Sequence, residues 1–201
     1  MAAGGLRPAG RVRWGEGLPA SSGVYVVSLG KESQSRKASL GRAPISVSAL
    51  NRWLEVRPEL LLDGRQPTSS DLAEALSELW LPDEVVLYIG KATSLQGRVR
   101  GYYSTDLGQR RPHAGGRYLK TLAALDGLYV HYAPCEEPED REAEMIGSFV
   151  AQVSKAALGQ LRDPEHPFPF ADSEWRPRDP VTGRRHRFLK QHGIRRDIDA
   201  Q

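Results

Sequence analysis

Leu87-Tyr88-Ile89-Gly90-Lys91-Ala92-Thr93-Ser94-Leu95-Gln96-Gly97-Arg98-Val99-Arg100-Gly101-Tyr102 is the stretch on which the reading of this chain turns. Val86 to Ile89 has the β-branched and aromatic content of a short strand, Gly90 marks a turn, and Ser94 is placed to cap a helix. On that helix Arg98 and Tyr102 stand four residues apart, on one face. A tyrosine at the end of a strand, a lysine beside it and an arginine on the next helix are groups that can converge on one phosphate, the guanidinium fork matching its oxygens. These residues raise the expectation of phosphodiester chemistry.

Upstream, Gly23 to Leu29 reads as an earlier strand carrying Tyr25, preceded by a polar leader over residues 1–22. Residue for residue, the stretch from Tyr88 resembles the second half of the GIY-YIG nuclease domain, in the form found in the nuclease subunit of bacterial excision repair. Gly23-Val24-Tyr25 is similar to the first half, with valine in place of isoleucine. Lys91 directly after Tyr-Ile-Gly, and Arg98 eight residues beyond Gly90, extend the match past a three-residue motif.

The resemblance implies an α/β (α+β) fold: a small three-stranded, mainly antiparallel sheet flanked by helices. It implies a metal-dependent endonuclease acting on DNA, with Tyr25, Tyr88, Lys91, Arg98 and Tyr102 on catalytic positions and Gly90 on the substrate side. It also implies a magnesium ion, or manganese in its place, held by one glutamate on the helix after the third strand. The candidates are Glu142 and Glu144. Two residues apart, they point about 200° from each other on a helix. Glu142, three and four residues before Met145 and Ile146, continues the apolar face and is the expected catalytic metal ligand; Glu144 is expected to be solvated. Arg100, His113 and Arg117 are further substrate-binding candidates. The family tends to carry an asparagine after the glutamate helix, and the nearest residue here is Asp172. An aspartate repels phosphate where an amide bonds it, so either Asp172 has a metal-linked role or that position is not represented.

A tyrosine base is an unusual choice, because the phenol titrates near 10. A metal-bound water and the Lys91 ammonium are expected to favour the phenolate, and the sequence does not decide between Tyr25 and Tyr88 as base. The alternatives are a nucleic-acid-binding module of the same fold without turnover, and a protein-interaction role for the residues between the two tyrosine strands.

Those residues are numerous. Tyr25 and Tyr88 are 63 positions apart, where the family joins its tyrosine strands by a short hairpin, so residues 31–82 read as an insertion in a domain spanning 23–161. Within the insertion, Val47, Leu50, Trp53 and Leu54 follow helical spacing, as do Leu72, Leu76 and Leu79 with Ser70 or Asp71 as cap. Two amphipathic helices laid beside the core are expected. A helix over 117–125, a strand over 127–133 and a long helix from Pro138 to about Leu161 follow. Residues 162–201 form a basic, Pro- and Arg-rich extension.

The net charge of +3 conceals an asymmetry: residues 91–120 carry +6 and 175–201 carry +5, leaving −8 elsewhere. Positive charge gathers where phosphates are expected to bind. No apolar run is long enough to cross a bilayer, and no signal-peptide pattern precedes the first strand. Cys135 is the only cysteine, which suits a reducing cytoplasm, and the five histidines show no zinc spacing.

Overall fold

A computed structural model describes residues 7–33, 35–109, 116–175, 181, 188–189 and 194–196. In chain order the elements are β1 (Gly10–Arg13), β2 (Gly23–Ser28), α1 (Val47–Val56), β3 (Leu60–Leu62), α2 (Ser69–Ser77), β4 (Val86–Ala92), α3 (Leu95–Ser104), β5 (Tyr129–Pro134), α4 (Pro138–Val150), α5 (Lys155–Leu158), β6 (Glu174–Trp175), β7 (Phe188–Leu189) and β8 (Ile194–Arg196). All six residues of β2 are buried. Such a run, apolar without alternation, suits a strand covered on both faces. Tyr25 and Val27 enter a large core with Leu50, Trp53, Leu72, Leu76, Leu95 and Val99, while Val24 and Val26 pack with Ile89, Met145, Ile146 and Phe168 on the other side. The sheet is thus sandwiched between α4 and a layer made by α1, α2 and α3.

β2 is antiparallel to both neighbours, with Tyr25 opposite Gly90 of β4 and Tyr132 of β5. The sheet has four strands in the order β1-β5-β2-β4, correcting the expected three. The fourth comes from the stretch read as a leader: β1 pairs with β5 from Gly10 opposite Tyr132 to Arg13 opposite Tyr129. A Cβ at position 10 would strike the Tyr132 ring, and the Arg13 guanidinium lies 4.5 Å from the centroid of the Tyr129 ring. One valine between two arginines was too short a pattern to mark this strand.

The insertion forms the two expected helices. Ser46 caps α1, accepting the Ala49 N–H at 3.2 Å. Thr68, rather than Ser70 or Asp71, caps α2, with Asp71 completing a reciprocal capping box. The helices do not lie beside the core but build it, since Leu50, Trp53, Leu72 and Leu76 share one cluster with Tyr25, Tyr88 and Tyr102. Together with Leu95 and Val99 of α3 they cover the tyrosine face of the sheet. Between them β3 pairs with β8, and β6 pairs with β7, so the extension contributes short strands.

Two helical boundaries differ from expectation. Residues 117–125 form separate 3-10 turns, Arg117–Thr121 and Leu125–Gly127, and α4 stops at Val150. Ser154 then caps the short α5 by accepting the Ala157 N–H at 3.1 Å. Beyond it, residues 168–172 run along the outer edge of β4. The Ala171 N–H donates to the Leu87 carbonyl at 2.8 Å, and Asp172 Oδ2 accepts the Ile89 N–H at 2.9 Å. Among the described residues no helix is long and apolar enough to cross a membrane.

Candidate functional site

Alternation along β4 sends Tyr88 and Gly90 toward the tyrosine-lined core, and Ile89 and Lys91 toward α4. Tyr25 and Tyr88 lie on adjacent strands with ring centroids 5.8 Å apart, and Tyr88 is 5.9 Å from Tyr102. Gly90 is not the expected turn but lies within β4, which continues to Ala92, and its missing side chain makes this nesting feasible. A Cβ there would lie 2.7 Å from Tyr25 Cζ and 2.7 Å from Tyr88 Cε1, closer than carbon atoms tolerate. Tyr102 is held from its far end, its hydroxyl donating to the carbonyl of Gly116. Gly116 adopts φ 62°, in the left-handed region, where a side chain would also collide with the Tyr102 ring. Tyr102 is therefore buried in the core with its hydroxyl engaged by the Gly116 carbonyl.

The Tyr25 hydroxyl is enclosed and has no well-formed hydrogen bond among the described residues. Burial pushes its phenol far above the ordinary value, against the opposing pull of the Arg98 charge and a loose approach by Tyr88; Glu142 and Asp172 push it further up. Burial likewise raises Tyr88 and Tyr102. At neutral pH these phenols are protonated and act as hydrogen-bond donors. Lys91 was expected to favour the phenolate. The positive group acting on Tyr25 is instead Arg98, because Lys91 points to the opposite face of β4.

A cleft of about 500 Å³ opens where β4 ends, lined by Lys91, Ser94, Gly97 and Arg98 on one side and Pro138 and Glu139 on the other. Lys91 Nζ is 2.9 Å from Glu142 Oε2 and 3.8 Å from Glu139 Oε1. Glu142 is only 21% exposed, whereas Glu144 is 53% exposed and paired with Arg141 at 2.7 Å. Of the two candidate glutamates, Glu142 is the one held against the candidate site. Ser94 caps α3 as expected, accepting the Gly97 N–H at 3.2 Å. The Leu95 and Gln96 amides donate to the Ser21 and Pro19 carbonyls at 2.9 and 3.0 Å. The segment read as a leader thus fixes the start of the arginine-bearing helix, a contact that nothing in its composition announced.

Arg100 and Arg117 are exposed but do not line the cleft, and Arg100 points away from Arg98 around α3. His113 lies outside the described residues, as do Arg110 and Arg111 of its loop. Asp172 is buried, its carboxylate engaged by the Ile89 amide and its charge felt by all three tyrosines. This is a backbone-anchoring role that neither expectation contained.

Among the described residues no group of three or more His, Cys, Asp or Glu could cage a metal. The donor set suits a different arrangement. Magnesium is commonly held by one or two carboxylates, with water and substrate phosphate completing its shell. Glu142, with Glu139 one turn earlier on α4, provides such carboxylates beside an open cleft. No protein-family model matches this chain, and neither a curated protein nor a solved structure shows significant similarity to it.

Proposed function

We propose that this protein is a metal-dependent endonuclease of the GIY-YIG kind, hydrolysing phosphodiester bonds in DNA. The observation that carries the reading is the Tyr25 hydroxyl: buried, lacking a well-formed hydrogen bond, and placed where the opposite charges of Arg98 and Glu142 both act on it. A buried polar atom without a well-formed hydrogen bond calls for an explanation, and a scissile phosphate or its attacking water provides one.

In this scheme the Arg98 guanidinium binds the phosphate oxygens and stabilises the charge that grows on them during transfer. Tyr25 donates from its Oη to the reacting centre, and Tyr88 packs against it to fix its ring. Glu142 would hold magnesium or manganese, which supplies charge neutralisation at the transferring phosphoryl group. The basic residues around 91–120 and in the C-terminal extension provide the long-range attraction for DNA. A reducing cytoplasm accords with the lone Cys135.

The test is nicking of supercoiled plasmid and branched DNA with magnesium or manganese. Arg98→Ala and Glu142→Gln are expected to lower the rate at least about 100-fold while the thermal midpoint stays near that of the parent. Undiminished cleavage by either variant would overturn the assignment. The second reading, a DNA-binding module without turnover, draws on the Lys91–Glu142 ion pair, which covers the proposed metal ligand. Salt-sensitive DNA binding with no metal-dependent product on any DNA structure would favour it.

A further inference from the structure

The ammonium of Lys91 lies between two carboxylates one helical turn apart, 2.9 Å from Glu142 and 3.8 Å from Glu139, at the wall of the cleft. It therefore occupies the position where a cation would meet Glu142. The pair is partly open, with Lys91 28% and Glu142 21% exposed, so the lysine can swing out without unpacking the core. Its alternative partner is close by: Arg98 lines the same cleft, and a phosphate bound there would attract a second cation.

We infer that Lys91 is a built-in counter-cation that competes with the divalent metal for Glu142 and is drawn off by the substrate phosphate. Metal and DNA then bind cooperatively. Without DNA, a metal ion must displace the ammonium; with DNA, Lys91 turns to the phosphate and Glu142 is released to the metal. Because linkage is reciprocal, the metal strengthens DNA binding by the same factor. The arrangement keeps the carboxylate neutralised until substrate arrives, and it accounts for a metal ligand covered by a lysine. The inference rests on the nuclease reading, from which it takes Glu142 as metal ligand.

Manganese binding, followed by electron paramagnetic resonance of free Mn²⁺, tests it without any turnover. The proteins are the full chain and its Lys91→Met, Lys91→Arg, Glu142→Gln and Lys91→Met/Glu142→Gln variants, each checked for fold by circular dichroism. Lys91→Met keeps the length of the stem and removes the charge. It should bind manganese about fivefold or more tighter than the parent in the absence of DNA. Lys91→Arg should stay close to the parent, and Glu142→Gln in the Lys91→Met background should erase the gain. A short duplex with nuclease-resistant phosphorothioate linkages should tighten manganese binding to the parent by a comparable factor, and to Lys91→Met far less. Equal manganese affinity in the parent and Lys91→Met, with Glu142→Gln weakening both, overturns the counter-cation role and leaves the metal site standing. If Glu142→Gln changes nothing in either background, the metal site falls and the inference with it.

Discussion

Gly90→Ala is the smallest change that tests whether the tyrosine pair is as tightly set as its geometry indicates. The new methyl would lie 2.7 Å from Tyr25 Cζ, 2.7 Å from Tyr88 Cε1 and 2.8 Å from the Tyr25 hydroxyl. Optimal carbon contacts are about 3.5–4.0 Å, so both rings must retreat by roughly 1 Å. Neither has room: Tyr25 is 0% and Tyr88 8% exposed, and Tyr102 stands behind Tyr88 with its hydroxyl fixed to Gly116. Overpacking of this kind costs about 1–3 kcal/mol. In a chain of this size each kcal/mol lowers the thermal midpoint by about 2–4 °C, giving a fall of about 2–12 °C. Displacing a reacting group by about 1 Å costs on the order of 100-fold in rate, so nicking should suffer more than stability. Gly41→Ala, where a Cβ meets nothing within 4 Å, is the control and should leave both readouts near the parent. A Gly90→Ala protein that melts with the parent and nicks at the parental rate would refute the close nesting of Tyr25 and Tyr88.

Asp172→Ala leaves the Ile89 amide without its acceptor and should lower the unfolding free energy in urea by about 1–3 kcal/mol, whereas Asp172→Asn retains an acceptor oxygen and should lose less. Equal losses in the two would show that the hydrogen bond is not what Asp172 provides. His131 is 3% exposed and hydrogen-bonded through Nε2 to Ser28, and burial depresses its pKa below the ordinary 6.5. Its folded form resists a proton that the unfolded chain accepts, so its contribution is constant above pH 6.5 and stability is lost as pH falls from there through the depressed folded value. The slope is at most about 1.4 kcal/mol per pH unit. Urea melts at pH 7.5 and 5.5 should differ less for His131→Gln than for the parent. Deleting residues 35–80 removes Leu50, Trp53, Leu72 and Leu76 from the core that holds the tyrosines, so cooperative thermal unfolding should disappear along with any cleavage; a folded deletion protein would show the insertion to be separable.

The legibility of this fold follows from how local each signal is. β4, the Ser94 cap and α3 are legible because strand composition and cap follow one another within 16 residues, whereas Gly90, which reads as a turn, lies inside the strand. The Glu142 and Glu144 alternative could be narrowed because helical geometry forbids both from facing one site, and the Lys91 ion pair accords with the choice. β1 was missed because its pairing depends on Tyr129 and Tyr132, more than a hundred residues away. The break between α4 and α5 is not legible because apolar spacing continues through Val153 while Ser154 restarts the helix. Lys91 was assigned to the tyrosines by proximity in sequence. Strand alternation sends it to the other face, a consequence hidden as long as Gly90 is read as the turn that ends the strand.

The segment over residues 168–172 has a consequence for how this sheet can grow. By taking the Leu87 carbonyl and the Ile89 amide it closes the β4 edge to any incoming strand. At the opposite border, along β1, Arg11 and Arg13 stand over the ring of Tyr129. A neighbouring chain is barred by residues 168–172 from backbone pairing along the middle of the strand that carries Lys91.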